Sequence, residues 1–267
     1  MSRPVVPIEK CVVNPPQQIR KVLPFRGALL NTLTVVIGSV IGLAIGKLLS
    51  PSLQNIALSG IGLVTVGIAV KMLFSTKNIL IIAASVAFGG VIGKLIGIDL
   101  MLAGAADGAR HLLGGLDSGF NEGFLTAGVL YCVGPMTLMG CIQDGLERKI
   151  ELLGLKSILD GISSIFLAAV SPAFGAGVLA SAALVLVVQS SLTALARPLE
   201  PVTKNPRVLD EATAAGGAMM LAIGLGLLKV SPVKDLPKEV YLPALVFAPA
   251  LAMWFPKIGS DANSETA

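Results

Sequence analysis

Charge is what this sequence has least of. Only 13% of its 267 residues are Asp, Glu, Lys or Arg, about half the share found in an ordinary soluble domain. Aromatic residues make up 4%, and there are three cysteines and a single histidine. Each scarcity excludes something. The lone His111 leaves no paired-histidine zinc motif, and no nucleophile elbow or cofactor fingerprint occurs, so no enzyme activity, cofactor or metal is expected. Three cysteines cannot build a disulfide framework. Cys132 and Cys141 lie nine residues apart in one apolar run, on opposite faces of a helix and too far apart along its axis for a bond. The net charge of +4 is not gathered into a basic patch interleaved with aromatics, which excludes a nucleic-acid partner.

What is there is apolar. Hydrophobic residues make up 54% of the chain and a further 30 residues are glycine, enough for about eight spans of about 20 residues. Such a chain is neither a soluble globule nor a disordered one. The expected fold is an all-α, polytopic transmembrane helical bundle, with membrane lipid as its first partner. Residues 1–24, with Pro15 and Pro16 adjacent, lack the apolar core of a signal peptide and read as a soluble cytoplasmic tail. Residues 25–256 form the transmembrane domain and 257–267 a polar C-terminal tail. Apolar runs bounded by charges and prolines predict spans at 27–46, 56–74, 79–98, 123–142, 157–175, 177–196, 212–230 and 240–256. The fifth and sixth need a turn, for which Ser171-Pro172-Ala173-Phe174-Gly175 is suited. On these spans, fourteen of the 20 Lys and Arg residues fall on the N-terminal side. By the positive-inside rule both termini are then cytoplasmic.

Glycine is arranged in register. Gly38, Gly42 and Gly46 share one face of the first span, and Gly89, Gly93 and Gly97 one face of the third. Small residues at this spacing let helix backbones approach in lipid, either within the chain or between copies in a homo-oligomer. The spacing to Gly46-Lys47 and Gly93-Lys94 is one residue short of a phosphate loop, and leucine follows where Ser or Thr is required. A second similarity relates Gly60-x6-Gly67-Ile68-Ala69-Val70 to Gly217-x6-Gly224-Leu225-Gly226-Leu227. These lie five spans apart, so they would run in opposite directions, the arrangement of an inverted repeat.

Polar residues inside spans need a partner or a function. Asp160 is the one acid deep in a span and leads a stripe with Ser157, Ser163 and Ser164 on one helix face. It is a candidate cation or proton site, or else it pairs with Lys156 one turn back or caps and hydrogen-bonds across to another helix. Gly134-Pro135 sits at the middle of the fourth span, where proline frees a carbonyl and glycine loosens the helix. Such a break either offers ligands to a solute at the midplane or is a simple kink. Asn31 in the first span, Gln189 in the sixth and Glu122 beside Asn121 complete the candidates for substrate or ion binding. Asp144, Asp210 and Glu211 read as helix-end acids, and Tyr241 and Trp254 as interface anchors.

The ordered motifs carry a resemblance. Gly27-Ala28-Leu29-Leu30-Asn31, then Gly123-Phe124-Leu125-Thr126-Ala127 running to Cys132-Val133-Gly134-Pro135-Met136 and Gln143-Asp144-Gly145-Leu146, then Lys156 to Ser164, and finally Ala215-Gly216-Gly217 with Gly224-Leu225 resemble the prokaryotic membrane family called domain of unknown function 554. The likeness covers roughly residues 25 to 255. It implies an integral inner-membrane protein, often described as a transporter candidate, and supplies no substrate and no site residues. Together these readings predict a transporter or channel for an ion or small solute, coupled to a cation or proton. The competing class is a non-transporting membrane scaffold or sensor, in which the same polar groups join helices.

Overall fold

The computed structural model describes residues 25–113, 119–231, 233 and 236–254; the tails expected at 1–24 and 257–267 lie outside the described residues. Those described are helical, with no strand. In chain order the helices are α1 (Arg26–Gly46), α2 (Pro51–Leu73), α3 (Ile79–Ile96), α4 (Ile98–Leu112), α5 (Gly119–Cys132), α6 (Pro135–Glu147), α7 (Glu151–Ala168), α8 (Pro172–Ala194), α9 (Ala196–Lys204), α10 (Pro206–Leu227) and α11 (Ala244–Trp254). A 3-10 turn, Lys238–Tyr241, precedes α11.

Local chemistry sets many of these boundaries. Proline stands at the first position of α2, α8 and α10, where its missing N–H costs nothing. The preceding Ser50, Ser171 and Asn205 accept hydrogen bonds from backbone N–H groups of the first turn. The turn between α7 and α8 therefore lies at 169–171, and Pro172 to Gly175 open α8 instead of forming the turn.

Helix pairing follows the glycines. α1 and α7 run parallel: Gly38 abuts the backbone of Gly161, Gly42 that of Ile165 and Gly46 that of Ala169. α3 runs antiparallel to α11, with Gly89 against Ala244 and Gly93 against Val240. Both glycine faces are thus filled within the chain, and contact between copies through Gly38, Gly42, Gly46, Gly89 or Gly93 would have to displace α7 or residues 240–244. Gly97 does something else: its positive φ of 76° ends α3 and starts α4. α5 and α8 run parallel, with Gly119 and Gly123 on Phe174 near their starts and Gly128 on Ser181 and Leu184 further along.

α2 and α10 are antiparallel, Gly217 lying against Leu73 and Gly224 against Gly62 and Val66. This is the orientation an inverted repeat requires. The matched glycines are nevertheless not equivalent, because Gly217 and Gly224 face α2 while Gly60 and Gly67 face open space.

Five helices, α1, α2, α3, α8 and α10, are long and apolar enough to cross a membrane, and α5 with α6, bent by 62° at the break, passes the same test only as a pair, which makes the count five or six. α7 carries Glu151, Lys156 and Asp160 and α11 has only 11 residues, although both lie alongside spanning partners. The expected count of eight is therefore only approximate. The sequence reading also lacked α4. This helix leaves Leu100, Met101 and Leu112 exposed and ties its charges to the protein: Asp99 to Lys94 of α3, and Asp107 to Asn121 of α5 and Arg110.

Candidate functional site

The site begins with a helix that stops halfway. α5 ends at Cys132 and α6 starts at Pro135. Between them Gly134 adopts φ 132° and ψ 156°, a conformation open only to glycine. Pro135 has no N–H to return to Tyr131, and the Thr137 hydroxyl takes its place, donating to the Tyr131 carbonyl at 3.3 Å. No backbone N–H among the described residues reaches the carbonyls of Leu130 and Val133. The break thus leaves backbone acceptors unused inside an apolar stretch, where an unused carbonyl is costly.

Asp160 stands on α7 facing this region. Lys156, one turn earlier, donates to Asp160 Oδ1 at 2.8 Å and to Oδ2 at 2.7 Å. Asn31 of α1 donates from Nδ2 to Oδ2 at 2.9 Å. Lys156, Asp160 and Asn31 are all buried. Ser164 donates to the Asp160 carbonyl at 2.7 Å, and its hydroxyl lies 2.9 Å from that of Tyr131. Ser157 is spent on its own helix, donating to Leu153. The carboxylate is therefore a salt-bridge partner within α7 that also ties α7 to α1, while the Ser164 hydroxyl ties α7 to Tyr131 of α5.

Two cavities meet at the break. The larger, about 690 Å³, lies between α2 and α7; Tyr131, Gly134, Pro135, Lys156, Asp160 and Ser163 are among its lining residues. The smaller, about 500 Å³, is lined almost wholly by apolar side chains, Cys132, Leu184, Leu209 and Leu245 among them. Val133, Gly134 and Pro135 line both, so the broken span is their common wall. A third space of about 130 Å³, holding Glu122, Lys238 and Glu239, shares Val129 with the smaller cavity.

Six of the eight sequence candidates are thereby gathered: Asn31, Gly134, Pro135, Asp160, Ser163 and Ser164. Two are not. Gln189 is buried in α8 but lines none of these spaces. Glu122 is exposed in the first turn of α5, in the small outer space and away from Asp160. Two acids read as helix-end groups have longer reach. Asp144 Oδ2 accepts from the Gly27 N–H at 3.1 Å, capping α1 from α6. Glu211 is fully buried and accepts from Thr76 Oγ1 at 2.6 Å, Lys77 N at 2.8 Å and Asn78 N at 3.0 Å, holding the turn between α2 and α3. Outside the spans, burial pushes the Glu239 carboxyl above its ordinary range, against the pull of Lys238.

The chain is 28% identical over 229 residues to the uncharacterized membrane protein YdfK of Bacillus subtilis (strain 168), covering 84% of this chain and 94% of that one. It is 25% identical over 234 residues to the uncharacterized protein YqgA of Escherichia coli (strain K12), covering 85% and 97%. No solved structure matches. The sequence model of the family described as "Protein of unknown function (DUF554)" matches residues 26–253, nearly all of the helical region, and the chain belongs to that family of membrane proteins.

Proposed function

We propose that the protein moves an ion or small solute across the membrane through the cavities on either side of the broken span. The observation that carries this reading is the shared wall: Val133-Gly134-Pro135 separates two large spaces, and one of them holds the buried Lys156–Asp160 pair. A helix broken at the midplane beside an ionisable group is the arrangement of secondary transporters. Reorienting α6 about Gly134 would open one space while closing the other. In this reading the chain is not an enzyme and lies in the inner membrane. Both termini are cytoplasmic, in keeping with Arg26, Lys77, Arg148, Lys149, Arg197 and Lys204 lying at one end of the bundle.

The competing reading, a membrane scaffold or sensor, draws on the closure of Asp160 upon Lys156 and Asn31, since a satisfied pair can serve purely to fix α1 and α7. Reconstitution in liposomes with a panel of ions and metabolites separates the two. Transport predicts saturable flux that falls at least about tenfold in Asp160→Asn with unchanged expression. A wild-type protein without flux across the panel favours the scaffold.

A further inference from the structure

The larger cavity is neutral but not satisfied. Twenty residues line it, and Lys156 and Asp160 are the only charged ones. They hold each other, the ammonium donating to the two carboxylate oxygens at 2.8 and 2.7 Å. A cation entering here would face Lys156 as a like charge and an anion would face Asp160, with little water to screen either. A bare divalent cation would also need about six oxygen ligands, and no group of three or more His, Cys, Asp or Glu side chains converges among the described residues. The charge balance favours an uncharged occupant.

The groups left open set its hydrogen bonding. Leu130, Val133 and Gly134 all line the cavity. Among the described residues the carbonyls of the first two receive no N–H, and the Gly134 N–H reaches no acceptor. Thr65 and Ser163 belong to the same lining, and their hydroxyls have no partner among the described residues. Thr65 is only 3% exposed, so bulk water does not serve it. Carbonyls only accept, an N–H only donates and hydroxyls do both; left alone in apolar surroundings, each costs stability. The match is a head group that donates and accepts without carrying charge, a carboxamide or a hydroxyl. A volume near 690 Å³ with mostly apolar walls takes an organic tail beyond that head. The opening gives the route. Val64 and Ile68 of α2 and Leu159, Ile162 and Phe166 of α7 line the cavity and are also exposed on the outer surface of the bundle, so its mouth is apolar and gives onto the bilayer.

We infer that the cavity between α2 and α7 binds an uncharged single-chain amphiphile that enters from the bilayer, its carboxamide or hydroxyl head completing the hydrogen bonds left open at Leu130, Val133 and Gly134. This deepens the transport reading by naming a class of cargo, and rests on that reading only for movement after binding.

The test is equilibrium binding of radiolabelled decanamide to the full chain in phosphatidylcholine nanodiscs, with empty nanodiscs as the blank. Wild type is expected to bind it saturably, one per chain. Methyl decanoate accepts but cannot donate, and decylammonium and decanesulfonate carry charge; all three should compete at least about tenfold more weakly than unlabelled decanamide. Gly60 lines the cavity and a Cβ there meets nothing within 4 Å, so Gly60→Phe plugs the space without touching the break and should abolish binding. Gly67→Phe, on the same helix with equally open space but outside the lining, should leave it intact. The head group is located by NMR. Valine precedes glycine only at Val66-Gly67 and Val133-Gly134, so carbonyl-labelled valine with amide-labelled glycine reports just these amides. Decanamide should shift the Gly134 amide and leave that of Gly67, inside α2, nearly unmoved. Equal competition by methyl decanoate or by either charged analogue, binding that survives Gly60→Phe, or saturation with the Gly134 signal in place overturns the inference. Inorganic-ion flux in liposomes without decanamide binding would overturn it and leave transport standing; decanamide binding without any flux would sustain it and count against transport.

Discussion

At the scale of single residues, the buried acids carry the most consequence, and position in the sequence was a poor guide to their roles. Asp160 and Lys156 were legible as a pair because four residues of helix bring them onto one face. Their link to Asn31 was not, since it crosses 129 positions. Glu211 looked like an acid near a helix start, but α10 begins at Pro206, which puts Glu211 on the second turn, aimed at the neighbouring loop. Glu211→Ala would leave the Lys77 N–H and the Thr76 hydroxyl without their acceptor, and the Asn78 N–H with Thr76 Oγ1 alone, at a cost of about 3 kcal/mol. The check is a thermal midpoint in detergent, and a change within error would show that water replaces the carboxylate. Glu239 predicts a pH effect of definite sign. Burial raises its pKa in the folded protein, so protonation favours folding and that contribution is lost as pH rises past the unfolded value through the folded one. Glu239→Gln should therefore gain midpoint over wild type as pH rises above the ordinary glutamate range, and the gain should vanish in acid.

At the scale of helices, glycine patterning was read correctly as a packing signal, but neither the partners nor the exceptions could be read. A Cβ at Gly42 would run into the backbone oxygen of Ile165, which cannot move without shifting α7. Gly67, in the same type of apolar span, has open space. Alanine at the two positions should act in opposite directions. Gly42→Ala should lower the thermal midpoint, and Gly67→Ala should raise it slightly, by about 0.5–1 kcal/mol of recovered helix propensity. Equal effects would mean that α1 and α7 are not held at this distance. The break at Gly134-Pro135 was visible because two residues with special backbone needs stood together in an apolar run. α4 was not, because its glycines, alanines and charges keep its hydropathy too low for a span, although its apolar residues do keep to one face.

At the scale of the whole molecule, the pairing contacts sort the connections into two sets. The starts of α1, α3, α7 and α10 share one end with the close of α6, while the starts of α2, α5 and α8 share the other, as Asp144 on Gly27, Glu211 on the 76–78 turn and Phe174 on Gly123 require. Cysteines introduced at Ser50 and Ser231 should therefore react with an impermeant maleimide from one face of sealed vesicles, and cysteines at Lys149 and Lys204 from the other. Mixed labelling within either pair would break the arrangement. The span count was the least legible quantity, because α7 carries a buried ion pair and α11 is short and preceded by a 3-10 turn.

The pairing of α1 with α7 also sets an order of events during synthesis. The glycine face of α1 and the Gly27 N–H find their partners on α7 and α6, more than a hundred residues later in the chain. At ordinary elongation rates the first span waits on the order of ten seconds in the membrane with that face unfilled. During that interval two nascent chains on one messenger present the same bare seam to each other, and the arrival of α7 is what closes it.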